Sequence, residues 1–94
     1  MSVRLISYDL KNGTEEDYGE LIGAITSLGD YCHPLSSQWL VDTDLSAREI
    51  KDILKAKLKA GDHILVSTLT GDYAGRVKES HLKWIRAHQV IFVG

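Results

Sequence analysis

Residues 3–9, VRLISYD, decide the fold because, in an extended chain, this segment would carry apolar side chains on both of its sides. Val3 and Leu5 point to one side of such a chain, and Ile6 and Tyr8 point to the other. A strand with this pattern is typical of a sheet that is covered on both faces. The sequence therefore predicts an opening strand, ending at Asp9, that needs two layers of cover.

Two helices are marked by their capping signals. Thr14 precedes the first helix, with Asp17 three residues later as a weaker relative of the capping box. Ser46 and Glu49 form a full capping box for the second helix, which Gly61 is expected to end. Apolar residues follow each cap at helical spacing, so each helix has one apolar side for packing.

The other regular segments predict an α+β fold. They are three short strands (31–35, 37–43 and 62–70), a short helix (78–88) and an apolar strand-like tail (89–93). The first of these strands contains Pro34 and therefore belongs at an edge or a bend of the sheet. The order is a ferredoxin-like βαββαβ with an appended C-terminal helix and tail. Both main helices are expected on one sheet face, which leaves the other face to a second subunit or to the C-terminal segment.

Length and composition limit the class of protein. The 94 residues, with a mass of 10.5 kDa, predict one domain over residues 1–94 and leave no room for a separate cofactor domain, so we expect no organic cofactor. The single Cys32 excludes an internal disulfide framework. No apolar run approaches the roughly 20 residues of a membrane span, and the N-terminus has no signal-peptide pattern. These features predict a soluble cytoplasmic protein without a membrane partner.

Charge is distributed unevenly along the chain. Residues 1–45 carry two basic and eight acidic groups, whereas residues 46–94 carry nine basic and five acidic groups. The net charge of −2 does not fit a strong general nucleic-acid binder. A basic stripe along the second helix is open to two interpretations, a phosphate-binding surface or a solvated outer face: Arg48, Lys51, Lys55 and Lys59.

Most of the potentially reactive residues lack the spacing that chemistry requires. Cys32 and His33 are neighbours on a predicted strand, so they point to opposite faces and cannot form a thiol–imidazole pair. His81 and His88 are seven residues apart on a helix, about 10.5 Å along its axis, which is too far to chelate one ion. His63 belongs to no metal-binding spacing, and the sequence has neither a P-loop nor a G-x-S-x-G elbow.

Asp9 is the stronger candidate because it closes the opening strand at a sheet end. One carboxylate is a poor magnesium site, but two brought together by a dimer axis could hold one ion between them. The alternative is that Asp9 only hydrogen-bonds the turn at Asn12 and Gly13.

The motif at the end of this strand also carries a family resemblance. Tyr8-Asp9-Leu10 resembles the small CRISPR-associated Cas-two proteins, which begin with a strand ending in Tyr-Asp, and Ser37-Gln38-Trp39 is similar to the Ser-Val-Phe of their third strand. More closely, LISYDL (5–10), LIGAITSLGDYCHPLSSQWLV (21–41) and DLSAREIKDIL (44–54) resemble the SinR-like group, which is related to the VapD toxin ribonucleases. The resemblance covers roughly residues 3–70.

The resemblance implies a ferredoxin-like homodimer and a candidate site. Asp9 corresponds to the proposed metal ligand of the Cas-two family, and Tyr8 and Ser37 are the other motif residues carried over as candidate catalytic residues. The implied function is a magnesium-dependent endonuclease that acts on RNA or DNA phosphodiesters. The alternative is a non-catalytic dimeric scaffold that binds nucleic acid or protein, and a small-ligand regulator is a third interpretation. The apolar tail 90–93 is expected to pair between subunits.

Overall fold

A computed structural model describes residues 2–89, which form four strands and three helices. In chain order these are β1 (Ser2–Asp9), α1 (Glu15–Thr26), β2 (Asp30–Leu35), β3 (Gln38–Thr43), α2 (Ala47–Lys55), β4 (His63–Thr68) and α3 (Glu79–His88). The sheet has the order β2-β3-β1-β4, and every neighbouring pair is antiparallel. The predicted α+β class is confirmed, and the arrangement is compatible with a ferredoxin-like fold. Among residues 2–89, no helix is long and apolar enough to cross a membrane.

Both predicted helix caps are present. The Thr14 side chain accepts from the backbone N–H of Asp17, whose carboxylate accepts from the N–H of Thr14 in return. Ser46 and Glu49 make the same reciprocal pair at α2. Each box satisfies two backbone N–H groups that the first helical turn would otherwise leave without acceptors. In contrast, α3 begins after Lys78 with no side-chain cap.

The prediction that the second helix extends to Gly61 is wrong. The helix ends at Lys55, and tighter turns follow, in which the N–H of Lys57 donates to the Leu54 carbonyl. Lys59 therefore lies beyond the helix, where its ammonium group pairs with Asp17 at 2.8 Å. The basic stripe on α2 is correspondingly shorter than the sequence predicted.

The first face of the sheet, defined as the face that contacts α1 and α2, holds the larger core. Alternate residues of β1 and β3 pack there against both helices, as the strand pattern predicted. Nine residues form this cluster, and none is more than 7% exposed: Ile6, Tyr8, Leu10, Leu21, Ile25, Trp39, Val41, Ile50 and Leu54.

The second face, defined as the face that contacts α3, holds a smaller core. Val3, Cys32 and Leu40 of the sheet pack with Ile85 of α3 in a separate cluster. The C-terminal segment, one of the two candidates for this role, therefore provides cover here. The cover is partial, because Leu35 is 50% exposed and Leu65 is 71% exposed.

The edge position predicted for the Pro34 segment is confirmed. Strand β2 lies at one side of the sheet, and its pairing with β3 is irregular between Cys32 and Leu35. An edge strand tolerates a proline because one of its sides needs no ladder hydrogen bonds. The predicted pairing of the tail lies outside the described residues, since only Gln89 of that segment is described.

Candidate functional site

A shallow cavity lies on the second face where β1 ends and β4 begins. It has a volume of about 250 Å³ and is lined by two stretches of three residues, 7–9 and 63–65. Asp9, His63 and Leu65 are all exposed there. We call Ser7, Asp9, His63 and Leu65 the open corner, because α3 leaves them uncovered.

Asp9 and His63 are direct partners across the β1–β4 pair. Residues opposite each other in antiparallel strands point to the same face, with Cβ atoms about 4.5–5.5 Å apart. The carboxylate and the imidazole therefore extend from one small area of the sheet. Sequence spacing missed His63 because it is 54 positions from Asp9. The signal that could have found it is the strand order, since a ferredoxin-like sheet places the end of the first strand beside the start of the fourth.

Asp62 holds the two strand ends together. Its carboxylate accepts the backbone N–H of Lys11 at 3.0 Å and the backbone N–H of Lys59 at 2.8 Å. Gly61, with a φ of 88°, makes the backward turn that precedes it, in a region that L side chains rarely adopt. The bond to Lys11 joins the segment after β1 to the start of β4, next to the strand pairing that places His63 beside Asp9.

Asp9 does not cap the following turn. Within residues 2–89 its carboxylate has no hydrogen-bond or ion-pair partner, so the interpretation that it holds Asn12 and Gly13 has no support in the structure. An exposed carboxylate of this kind can accept hydrogen bonds or bind a cation.

Tyr8 and Ser37 are close to each other but are placed differently from Asp9. The Tyr8 side chain is buried on the first face, where its hydroxyl donates to the Ser36 carbonyl at 3.3 Å and accepts from Trp39 Nε1 at 3.2 Å. The backbone N–H of Tyr8 donates to the Ser37 carbonyl at 3.2 Å. Ser37 itself is exposed in the turn between β2 and β3. Their catalytic roles stay predictions, and the contacts indicate that Tyr8 helps to position the end of β1.

A row of side chains connects the open corner to the opposite edge of the sheet. The row crosses all four strands on the second face and consists of Leu35, Gln38, Ser7 and Leu65. Its two ends are the exposed leucines. Beside it lies a second cavity of about 200 Å³ between the sheet and the segment 73–85, with mostly apolar walls that include Leu40 and Val77.

Cys32 and His33 point to opposite faces, as predicted. The His33 ring stacks on Trp39 with centroids 3.9 Å apart, whereas Cys32 Sγ faces the second core. There it lies 3.1 Å from His81 Nδ1 of α3, a contact that adjacent-residue reasoning did not anticipate. Burial raises the pKa of the Cys32 thiol, which keeps it neutral and weakly nucleophilic.

Comparison with protein-family models, with curated proteins and with solved structures finds no match. The functional assignment therefore depends on the geometry of the chain itself. In the described part of one protomer, no three His, Cys, Asp or Glu side chains are grouped so that they could hold a metal ion.

Proposed function

We propose that this protein is a Cas-two-like homodimer with a ferredoxin-like fold, an appended C-terminal helix and a strand-like tail, and that it is a metal-dependent endonuclease acting on RNA or DNA. The observation that carries the proposal is the exposed Asp9 carboxylate, which has no partner among residues 2–89, at the end of a central strand with alternate residues buried. It supports the role that the family resemblance implies for this residue.

The uncovered part of the second face supports the dimer. Leu65 and Leu35 are exposed at the two ends of one row, and exposed apolar groups of this size gain free energy when they are removed from water. A two-fold axis through this surface presents the same patch on both subunits. Such an axis near the open corner brings two Asp9 carboxylates toward each other.

The Asp9 donor set fits a divalent cation. Oxygen ligands suit Mg²⁺, which is usually held by one or two carboxylates together with water and substrate phosphates. Two Asp9 side chains would supply the protein ligands. When bound, the ion supplies positive charge that offsets the negative charge on the attacking and leaving oxygens of a phosphodiester. This positive charge is needed at Asp9, because two carboxylates alone would repel a phosphate group.

The other motif residues support this site from the opposite side of the sheet. The Tyr8 hydroxyl connects the end of β1 to the β2–β3 turn through Ser36, and Trp39 fixes the orientation of the Tyr8 ring. Because neighbouring strand residues point to opposite faces, anchoring Tyr8 in the core holds Asp9 toward solvent. We assign Tyr8 to positioning, and Ser37 to an exposed turn close enough to contact a polymer that crosses the sheet end.

Cleavage assays on short RNA and DNA substrates test the proposal. The wild-type protein, purified free of contaminating nuclease, is expected to cut with magnesium or manganese and to stop when the ion is chelated. Asp9→Asn is expected to abolish cleavage. Asp72→Asn, which neutralises an exposed carboxylate in the loop after β4, is the matched control and is expected to cut like the wild type.

A second candidate function, a non-catalytic dimeric scaffold, is favoured by the apolar cavity beside α3. Such a groove suits apolar side chains of a protein partner better than a phosphate backbone. If the wild-type protein cuts nothing with either ion, the scaffold replaces the endonuclease. If Asp9→Asn cuts as well as the wild type, Asp9 has no catalytic role.

A further inference from the structure

We infer that Asp9 and His63 together form a mixed carboxylate–imidazole site that selects Zn²⁺ over Mg²⁺. The inference deepens the proposed function and rests on its placement of a cation at Asp9. What is new is the nitrogen ligand and the metal selectivity that follows from it.

The positions of the two side chains favour chelation. Asp9 and His63 are opposite each other in adjacent antiparallel strands, and both are exposed on the same face. With Cβ atoms about 4.5–5.5 Å apart, a carboxylate oxygen and a ring nitrogen can both reach one ion at roughly 2.0–2.2 Å. The strand pairing itself and the hydrogen bond from the Lys11 N–H to Asp62 hold the two strand ends side by side.

His63 is the available histidine in the described part of the chain. His33 stacks on Trp39, His81 contacts Cys32, and His88 contacts both Asp30 and the Trp84 carbonyl. The ring nitrogens of His63 have no such partner among residues 2–89. Its imidazole can therefore bind an ion without breaking an existing contact.

The nitrogen ligand determines which metal ion the site prefers. Imidazole nitrogen binds zinc and related ions well, whereas Mg²⁺ prefers oxygen and keeps its water ligands. One protomer supplies two ligands, and the two-fold copy that we propose would supply a second Asp9 and His63. Two carboxylates and two imidazoles make a four-ligand set of the kind that zinc accepts.

Calorimetric titration of tag-free protein with ZnCl₂, MnCl₂ and MgCl₂, each alone, tests the inference. The titrations are run at about pH 7.5, where ordinary imidazoles are mostly neutral. Wild-type protein is expected to bind Zn²⁺ at least about tenfold more tightly than Mg²⁺, with Mn²⁺ between the two. His63→Gln is expected to remove that preference while leaving Mg²⁺ binding unchanged, and Asp9→Asn is expected to weaken binding of every ion.

Controls separate this inference from the proposed function. His33→Gln removes an imidazole from the first-face side and is expected to keep the preference, and thermal melting confirms that each variant folds. Unchanged selectivity in His63→Gln, with Mg²⁺ still bound and cleavage intact, would overturn the nitrogen ligand and leave the endonuclease standing. If the wild type binds none of the three ions, both the selective site and the metal-dependent function are wrong.

Discussion

The first face of the sheet lies under two helices that each begin in a capping box, whereas the second face lies under one helix that begins without a side-chain cap. Nine buried residues form the cluster on the first face, compared with four on the second. Polar contacts also fasten α3 and the residue after it to the second face, such as His88 with Asp30 and Gln89 with the Leu69 carbonyl.

This difference separates stability from function. Apolar burial provides most of the free energy of folding, so the first face and its helices are the stable part of the molecule. The second face keeps an exposed leucine, a carboxylate and an imidazole together at the open corner. A surface of this composition is suited to contact with a second subunit and a charged ligand.

The two faces are expected to differ most in how a charged substitution affects the association of subunits. Leu65→Glu places a negative charge near Asp9 on the exposed second face and is expected to convert the proposed dimer into a monomer, because like charges brought together at an interface repel. Ile53→Glu, at an exposed aliphatic site on α2, is the control and is expected to keep the wild-type mass. Light scattering at micromolar concentration reports the mass. A wild-type mass near 10.5 kDa would contradict the dimer.

Core truncation compares the two faces directly. Leu54→Ala removes a fully buried side chain of the first face and is expected to lower the free energy of unfolding by about 2–5 kcal/mol. Ile85→Ala, in the smaller second cluster, is expected to lower the free energy of unfolding by about 2 kcal/mol, at the lower end of that range. Urea denaturation measures both. A larger loss for Ile85→Ala would reverse our assignment of the more stable face.

Substitutions at the helix caps are expected to change the stability of the protein by smaller amounts. Ser46→Ala is expected to destabilise the protein by about 1 kcal/mol, because it removes the acceptor of the Glu49 N–H. Lys78→Ser, which introduces a cap where α3 has none, is expected to stabilise it by a similar or smaller amount, about 0.5–1 kcal/mol. Thermal melting of the two variants checks this. Destabilisation by Lys78→Ser would show that Lys78 has a contact role beyond its cap position.

The attachment of α3 is expected to depend on pH. Burial disfavours the charged His88 ring, but the hydrogen bond to the Trp84 carbonyl and the Asp30 carboxylate outweigh it, so the pKa of His88 is raised. The hydrogen bond from His88 lowers the pKa of Asp30. The His88 contribution is complete below its unfolded-state pKa of about 6.5 and is lost as pH rises through the raised value. The Asp30 contribution is present above about pH 3.9 and is lost as pH falls.

Hydrogen exchange measures this effect on the two faces. After correction for intrinsic rates, amides of α3 are expected to exchange faster at alkaline pH than near pH 6, whereas amides of α1 are expected to change little. His88→Gln is expected to remove the difference. Equal changes in α1 and α3 would show that pH acts on the whole fold instead of on the attachment of α3.

Local signals were sufficient to predict the starts of α1 and α2 and the edge position of the Pro34 strand. Thr14, Ser46 and Pro34 each act on backbone groups within a few residues, so their effects on helix starts and on the edge strand follow from sequence. The early end of α2 did not follow, because tertiary contacts decide it: the Asp62 carboxylate holds the Lys59 N–H, and the Lys59 ammonium pairs with Asp17. Gly61 ends the turns that follow the helix instead of the helix itself.

The sequence predicted only part of the candidate site, because the rest depends on contacts between distant parts of the chain. Asp9 is marked by its place at the end of an apolar strand, which is a local property. The Asp9–His63 and Cys32–His81 pairs join residues about 50 positions apart, and they depend on strand register and on which face α3 covers. Register is set by the whole pattern of burial across the sheet, which no single spacing reveals.

Thermal melting of wild type and Asp9→Asn, each with and without manganese, tests the central claim most directly. Without the ion, Asp9→Asn is expected to melt at or above the wild-type temperature, because the exchange removes repulsion between the two carboxylates that the proposed dimer brings together. At ten times the dissociation constant, the ion is expected to stabilise wild type by about 1.4 kcal/mol, which raises its melting temperature by roughly 5 °C or more. The Asn variant is expected not to respond. An equal rise in both proteins, or no rise in either, would contradict a metal site at Asp9.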